Sequence, residues 1–252
     1  VTESLLVALD AGVLTLTLNR PDKRNALDTP TLDALHAELG RADLDADVRV
    51  VAIRGAGKDF CAGADLAELL ASAGNTPEEN ERTALHLGGL FLKIRNLPKP
   101  VVAIVRGRAL AGGAGLATAC DLVLSTATAR FGYPEIQRGF VPAMVMTLLR
   151  RLTGEKVAFD LAATGRILSS GEAQSAGLVS RVIDDADFEV ESGRLLAALA
   201  SASGSALALT KRQFYQLDGM GFEEGIALGA QVNALARSTP DFKQAIAAFL
   251  DK

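Results

Sequence analysis

With 252 residues, 49% of them hydrophobic, the chain is long enough to bury one large core. A net charge of −4 and a pI near 5.3 argue against nucleic acid or an anionic membrane as the main partner. Two cysteines and two histidines leave little material for a disulfide scaffold, a metal cage or a Ser-His triad.

Cys61 and Cys120 stand far apart and read as reduced, mostly buried thiols. His36 and His86 fall in helix-like, Ala/Leu-rich stretches, and no metal site is expected. No apolar run reaches the roughly 18 residues of a membrane span. The N-terminal VTESLLVALD carries acids where a signal peptide has basic residues, so the expected location is cytoplasmic.

Along the chain, Val13 to Leu18 (VLTLTL) alternates apolar residues with Thr and predicts a strand. The loop NRPDKRNAL follows. Thr29 with Pro30 reads as a helix cap and first helical residue, with Leu32, Leu35 and Leu39 on one face. Val48 to Ile53 predicts a second strand, and Gly55 to Lys58 a glycine-rich turn before Asp59 to Leu70. Residues Ala71 to Glu81 (ASAGNTPEENE) are polar and breaker-rich, which predicts a mobile loop. A helix over Thr83 to Ile94 ends before Pro98 and Pro100. Val101 to Val105 is continuously apolar, as in a strand covered on both faces.

Ala111 to Cys120 reads as helix, Leu122 to Ser125 as strand, and Val145 to Arg151 and Lys156 to Ala163 as helices. Ser169 and Glu172 have capping-box spacing, Gly177 marks that helix's end, and Leu178 to Ile183 predicts a strand. From Phe188 the pattern is helical almost to the C-terminus. Strands alternating with helices, then helices alone, predict an α/β core over 1–187 and a helical C-terminal section over 188–252.

Two glycine-bearing segments carry the chemistry. Phe60-Cys61-Ala62-Gly63-Ala64-Asp65-Leu66 follows the Val48 strand, and Ala111-Gly112-Gly113-Ala114-Gly115 follows the Val101 strand. At such bends backbone N–H groups are free and a helix N-terminus adds positive partial charge. Two of them converging would form an oxyanion hole. Glu135, after Pro134, supplies a carboxylate able to move a proton. A dinucleotide fingerprint is rejected, because Gly113-Ala114-Gly115-Leu116-Ala117-Thr118 ends in Thr and lacks the following acid.

These residues, in order, resemble the enoyl-CoA hydratase/isomerase (crotonase) superfamily over essentially the full length. The matching segments are Asn19-Arg20-Pro21 with Asn25-Ala26-Leu27, Phe60 to Leu66, Pro98 to Val101, Ala111-Gly112-Gly113, Ala119-Cys120-Asp121, Phe131 to Glu135 with Gly139, Leu161 to Gly165, and Ala176 to Val179. The resemblance implies a spiral of ββα turns, with C-terminal helices that support homotrimers or homohexamers. It implies an acyl-CoA thioester whose carbonyl is held by the N–H groups of Ala64 and Gly112. Coenzyme A is part of that substrate, and no separate cofactor is implied.

Lys23, Arg24, Ala26, Ala62, Asp65 and Leu66 match the border of the CoA moiety. Tyr133 is expected to line the acyl pocket or donate a hydrogen bond. Ala67 stands where many relatives carry Lys. Gly115 stands where two-carboxylate hydratases carry a second Glu, leaving Glu135 as the acid/base. The implied activity is hydration of an α,β-unsaturated acyl-CoA. The alternatives are Δ3,Δ2-enoyl-CoA isomerisation by the same Glu135, and a non-catalytic oligomeric scaffold.

Overall fold

The computed structural model describes residues 4–251, so the expectation placed on the first three residues, and residue 252 of the C-terminal section, lie outside it. The chain opens with a hairpin of β1 (Leu5–Asp10) and β2 (Val13–Leu18). Its two turn residues, Ala11 and Gly12, both have positive φ, as a tight right-twisted hairpin requires. The strand β1 escaped the sequence reading because it is an edge strand. Leu6, Val7 and Leu9 are exposed, so its run of apolar residues shows no alternation.

Helix α1 (Thr29–Leu44) is capped by Asp28, whose carboxylate accepts from the Thr31 N–H at 3.0 Å. The cap is therefore one residue earlier than expected, and Thr29 is already helical. After β3 (Val50–Gly55) come the short α2 (Leu66–Ala71) and α3 (Pro77–Asn96). The expected mobile loop over Ala71 to Glu81 is instead a single 3₁₀ turn, Ser72–Gly74, and the start of α3. Thr76 and Glu79 form a reciprocal capping box around Pro77. The breaker residues there were a helix start signal rather than a loop signal.

Next come β4 (Val101–Val105), β5 (Arg108–Leu110), α4 (Gly112–Ala119), β6 (Leu122–Thr126) and β7 (Arg130–Gly132). A 3₁₀ helix, Pro134–Arg138, precedes α5 (Ala143–Thr153) and α6 (Glu155–Thr164). The chain continues through β8 (Ile167–Ser169), α7 (Ser170–Ser175) and β9 (Arg181–Ile183). The strand expected over Leu178 to Ile183 is shortened to β9, because Leu178 N still bonds Ala173 O in the turn that closes α7. Four helices finish the chain: α8 (Phe188–Ser201), α9 (Gly204–Gln216), α10 (Phe222–Ser238) and α11 (Pro240–Leu250).

The strands build two sheets, a six-stranded one in the order β1-β2-β3-β4-β6-β9 and a three-stranded one in the order β5-β7-β8. From β2 onward the large sheet is parallel. Successive strands divide between the sheets: β4 and β6 enter the large one, β5 and β7 the small one. The chain therefore winds as a spiral whose turns stack on one another.

Both faces of the large sheet are covered at its central strands β3, β4 and β6. Val51, Ile53, Val101, Ala103 and Val105 join the main core with α1, α3 and α4, while Val50, Ala52, Val102, Ile104 and Leu124 pack with Phe188 of α8. That two-sided burial is why β4 reads as an unbroken apolar run.

Candidate active site

The loop between β2 and α1 is built around Asn25, 1% exposed and at φ +55. Its amide donates to the carbonyls of Ala56 and Asp59 at 2.9 and 2.7 Å, and its Oδ1 accepts from Arg20 N at 3.0 Å. Arg20 in turn donates to Ala26 O at 2.8 Å and pairs with Asp65 at 2.9 Å and Asp28 at 3.2 Å. This network lashes the loop to the segment after β3. Ala62 N donates to Arg24 O at 3.0 Å, and Leu27 forms a parallel bridge with Ala64.

That bridge decides where Ala64 aims its amide. Leu27 N donates to Gly63 O at 2.8 Å and Asp65 N donates to Leu27 O at 2.9 Å, so residues 63 and 65 serve one edge. In an extended strand the intervening N–H of Ala64 lies on the other edge, beside the start of α4. A Cβ built on Gly112 would sit 3.7 Å from Ala64 N, and one built on Gly63 would sit 3.2 Å from Gly112 N. The N–H of Gly112 is one of the unsatisfied donors of a helix start. Among the described residues, neither N–H has an acceptor.

The approach of the two segments depends on missing side chains. A Cβ on Gly113 would fall 2.4 Å from Cys61 O, and one on Gly63 2.8 Å from Ala111 Cβ. Ala111, at φ 52 and ψ −130, turns the chain into α4. A non-glycine residue held there costs about 1–3 kcal/mol. The bond from Ala111 N to Gly132 O, 2.8 Å, anchors it to the end of β7.

Three residues beyond Gly132 lies Glu135, in the 3₁₀ turn and 8% exposed. Burial pushes its carboxyl above the ordinary value of 4.5, against the opposing pull of its own backbone N–H and of Arg138. Its Oε2 has no hydrogen-bond partner, and the only other buried side-chain atom so placed among the described residues is Tyr133 Oη. Leaving such a group unpaired costs about 1–3 kcal/mol. Folding alone gives no return on that cost.

Gly115 is sealed. A Cβ there would lie 2.7 Å from Val145 Cγ2 and 2.9 Å from Phe91 Cζ. Leu87 approaches Gly112 in the same way, its Cδ2 3.3 Å from a built Cβ. The apolar wall over α4 therefore comes from α3 and α5. Sequence reading overlooked Leu87, Phe91 and Val145, since nothing local distinguishes a wall residue from any other core residue. Phe131 is buried, whereas Phe140 and Val141 are about half exposed.

The remaining expected residues gather around the lashed loops. Lys23, Arg24 and Leu66 are exposed, and Ala26 and Ala62 are half-buried beside them. Asp65 is committed internally: one oxygen pairs with Arg20 and the other caps α2 by accepting from Ala67 N at 2.9 Å. Cys61 and Cys120 are free and buried, and burial pushes the Cys61 thiol to about 12. His36 and His86 stack with ring centroids 4.7 Å apart, joining α1 to α3. Among the described residues no acidic, His or Cys cluster could hold a metal. No described helix is long and apolar enough to cross a membrane.

The fold is that of the crotonase superfamily. A Mycobacterium smegmatis enoyl-CoA hydratase crystal structure superposes with a TM-score of 0.94 at 34% identity, covering 98% of this chain and 96% of that one. Human enoyl-CoA hydratase domain-containing protein 3 gives a TM-score of 0.94 at 28% identity, covering 98% and 96%. The family model for enoyl-CoA hydratase/isomerase matches residues 8–252, and the chain belongs to that family.

Two relatives set the nearer context. A Thermus thermophilus protein, provisionally named an enoyl-CoA hydratase, is 43% identical, with 98% of each chain covered. The Escherichia coli 2,3-dehydroadipyl-CoA hydratase is 36% identical, covering 98% of this chain and 96% of its own.

Proposed function

We propose that this protein is an enoyl-CoA hydratase that adds water across the 2,3 double bond of an α,β-unsaturated acyl-CoA. The observation that carries the reading is the pairing of two acceptor-free N–H groups, of Ala64 and Gly112, with one buried carboxylate that has a free oxygen. The names of the relatives support the substrate class.

The thioester oxygen is held by the two N–H groups. The oxygen of a water forms a bond to C3 as Glu135 takes its proton. The π electrons move through C2 onto the thioester oxygen as an enolate, and Glu135 then returns the proton to C2. Atoms and charge balance without an electron acceptor, so the reaction needs no redox cofactor. A donor directed at the developing oxyanion contributes on the order of 3 kcal/mol. A carboxyl with a raised pKa is suited to serve as base and then as acid. Lys23 and Arg24 stand exposed beside the loop of Ala62 to Leu66, where they could meet the phosphates of CoA.

One observation favours a second reading. Gly115 provides no second carboxylate, and a single carboxylate can also carry a proton from C4 to C2, which is Δ3,Δ2-isomerisation.

The two reactions separate when 2-enoyl-CoA and 3-enoyl-CoA are incubated individually in D₂O. Hydration yields 3-hydroxyacyl-CoA from the first, whereas an isomerase interconverts the two and adds no water. Glu135→Gln should reduce turnover by at least 100-fold while acyl-CoA still binds. The acid limb of the wild-type rate profile should lie above the ordinary carboxylate value of 4.5, because ionised Glu135 is the base and burial disfavours that form. Full activity of Glu135→Gln defeats the assignment. A protein that binds no acyl-CoA thioester is the scaffold alternative.

A further inference from the structure

Among the described residues, two buried side-chain polar atoms have no hydrogen-bond partner: Glu135 Oε2 and Tyr133 Oη. They belong to residues separated only by Pro134, on the segment that leaves β7 next to the Ala111–Gly132 contact. Tyr133 is fully buried. Burial pushes its phenol well up, and the Glu135 charge pushes it further, so the hydroxyl remains protonated and lies within the field of the carboxylate.

The surroundings give the phenol little else to do. The Thr118 hydroxyl is the other polar group close to the phenol, but it donates to the carbonyls of Ala114 and Gly115, at 2.8 and 3.2 Å. Its oxygen is therefore open only to the phenol's own proton, and the lone pairs of Tyr133 Oη stay free. Phe91 and Val145 occupy the space above Gly115. A packing role alone is met equally well by Phe, without an unpaired hydroxyl.

We propose that Tyr133 is a second polar contact of the reacting oxygen, its Oη and Glu135 Oε2 together holding the water that attacks C3 and, after addition, the 3-hydroxyl of the product. Tyr133 Oη accepts a hydrogen bond from the O–H that the water keeps, while Glu135 takes the proton that the water loses. The phenol neither gains nor loses a proton in the cycle. It aims the oxygen, in a site where Gly115 provides no second carboxylate. This role rests on the hydratase reading.

The test compares wild-type protein with Tyr133→Phe, which removes only the hydroxyl. Calorimetry with 3-hydroxybutyryl-CoA should show about tenfold weaker binding to the variant, about 1.4 kcal/mol. Butyryl-CoA, which has no oxygen at C3, should bind both proteins equally. Hydration kcat should fall at least tenfold with little change in KM and no loss of Tm. Equal effects on the two ligands, or hydration within twofold of wild type, overturn the role of Tyr133. In that case Glu135→Gln still reports on the hydratase reading. If wild-type protein isomerises without hydrating, that reading and the role of Tyr133 fall together.

Discussion

At Gly115 a missing side chain matters twice, since it offers no acid and makes room for apolar neighbours. Val145 and Phe91 occupy the space that a side chain would need, so the position has been closed rather than merely vacated. Gly115→Glu should therefore overpack α4, at a cost of about 1–3 kcal/mol, or roughly 2–12 °C in Tm for a domain of this size. It should not increase hydration. Gly115→Glu combined with Val145→Ala should recover part of the lost Tm. Thermal melts of the two variants decide the matter, and an unchanged Tm for the single substitution refutes the tight fit.

Other residues differ in how openly the sequence announced them. Glu135, Ala64 and Gly112, the residues proposed for the chemistry, could be singled out because they sit in ordered motifs. The commitment of Asp65 to Arg20 and Ala67 was not, because both acceptors are filled across a loop pairing that no local pattern encodes.

Among the elements, α9 is held to the core by one polar knot. The carboxylate of Asp121 accepts from Lys211 Nζ at 2.7 Å, from Tyr215 Oη at 2.7 Å and from Val101 N at 2.7 Å. Lys211 also donates to Ile94 O at 2.8 Å and Lys99 O at 3.0 Å. It thereby closes the end of α3 and the start of β4 together. Lys211→Ala should cost about 3–5 kcal/mol, because it leaves the largely buried Asp121 charge without its cation. Urea unfolding would measure the loss, and a change under 1 kcal/mol would show that the knot is not a structural tie.

The Ala119-Cys120-Asp121 motif was legible as a family match, but its partner in α9, 90 residues later, was not. The start signal of α3, Thr76-Pro77-Glu78-Glu79, is local and present in the sequence, but polar and breaker residues mark loops as well as helix starts, so composition alone does not separate the two.

On the scale of the whole molecule, the C-terminal helices leave much apolar surface uncovered. Phe222, Ile226, Phe249 and Leu250 are between 61% and 84% exposed. A soluble monomer seldom presents so much. Sedimentation equilibrium should give three or six times the 26.3 kDa chain mass, and a single-chain mass would overturn the trimer or hexamer that the resemblance implies.

The sequence alone determined the class of fold and the family, and it singled out the residues proposed for the chemistry. Strand and helix periods, glycine-bearing bends and the acid after Pro134 are local signals, each carried by a few neighbouring residues. What only the tertiary structure decided is how those bends meet. The parallel bridge of Leu27 with Ala64 turns the Ala64 N–H toward Gly112, and α3 and α5 fill the space over Gly115. It also left Tyr133 Oη and Glu135 Oε2 as the buried side-chain atoms without a hydrogen-bond partner among the described residues. Such facts arise from close approach between distant segments, and periodicity along a chain carries no record of what will pack against it.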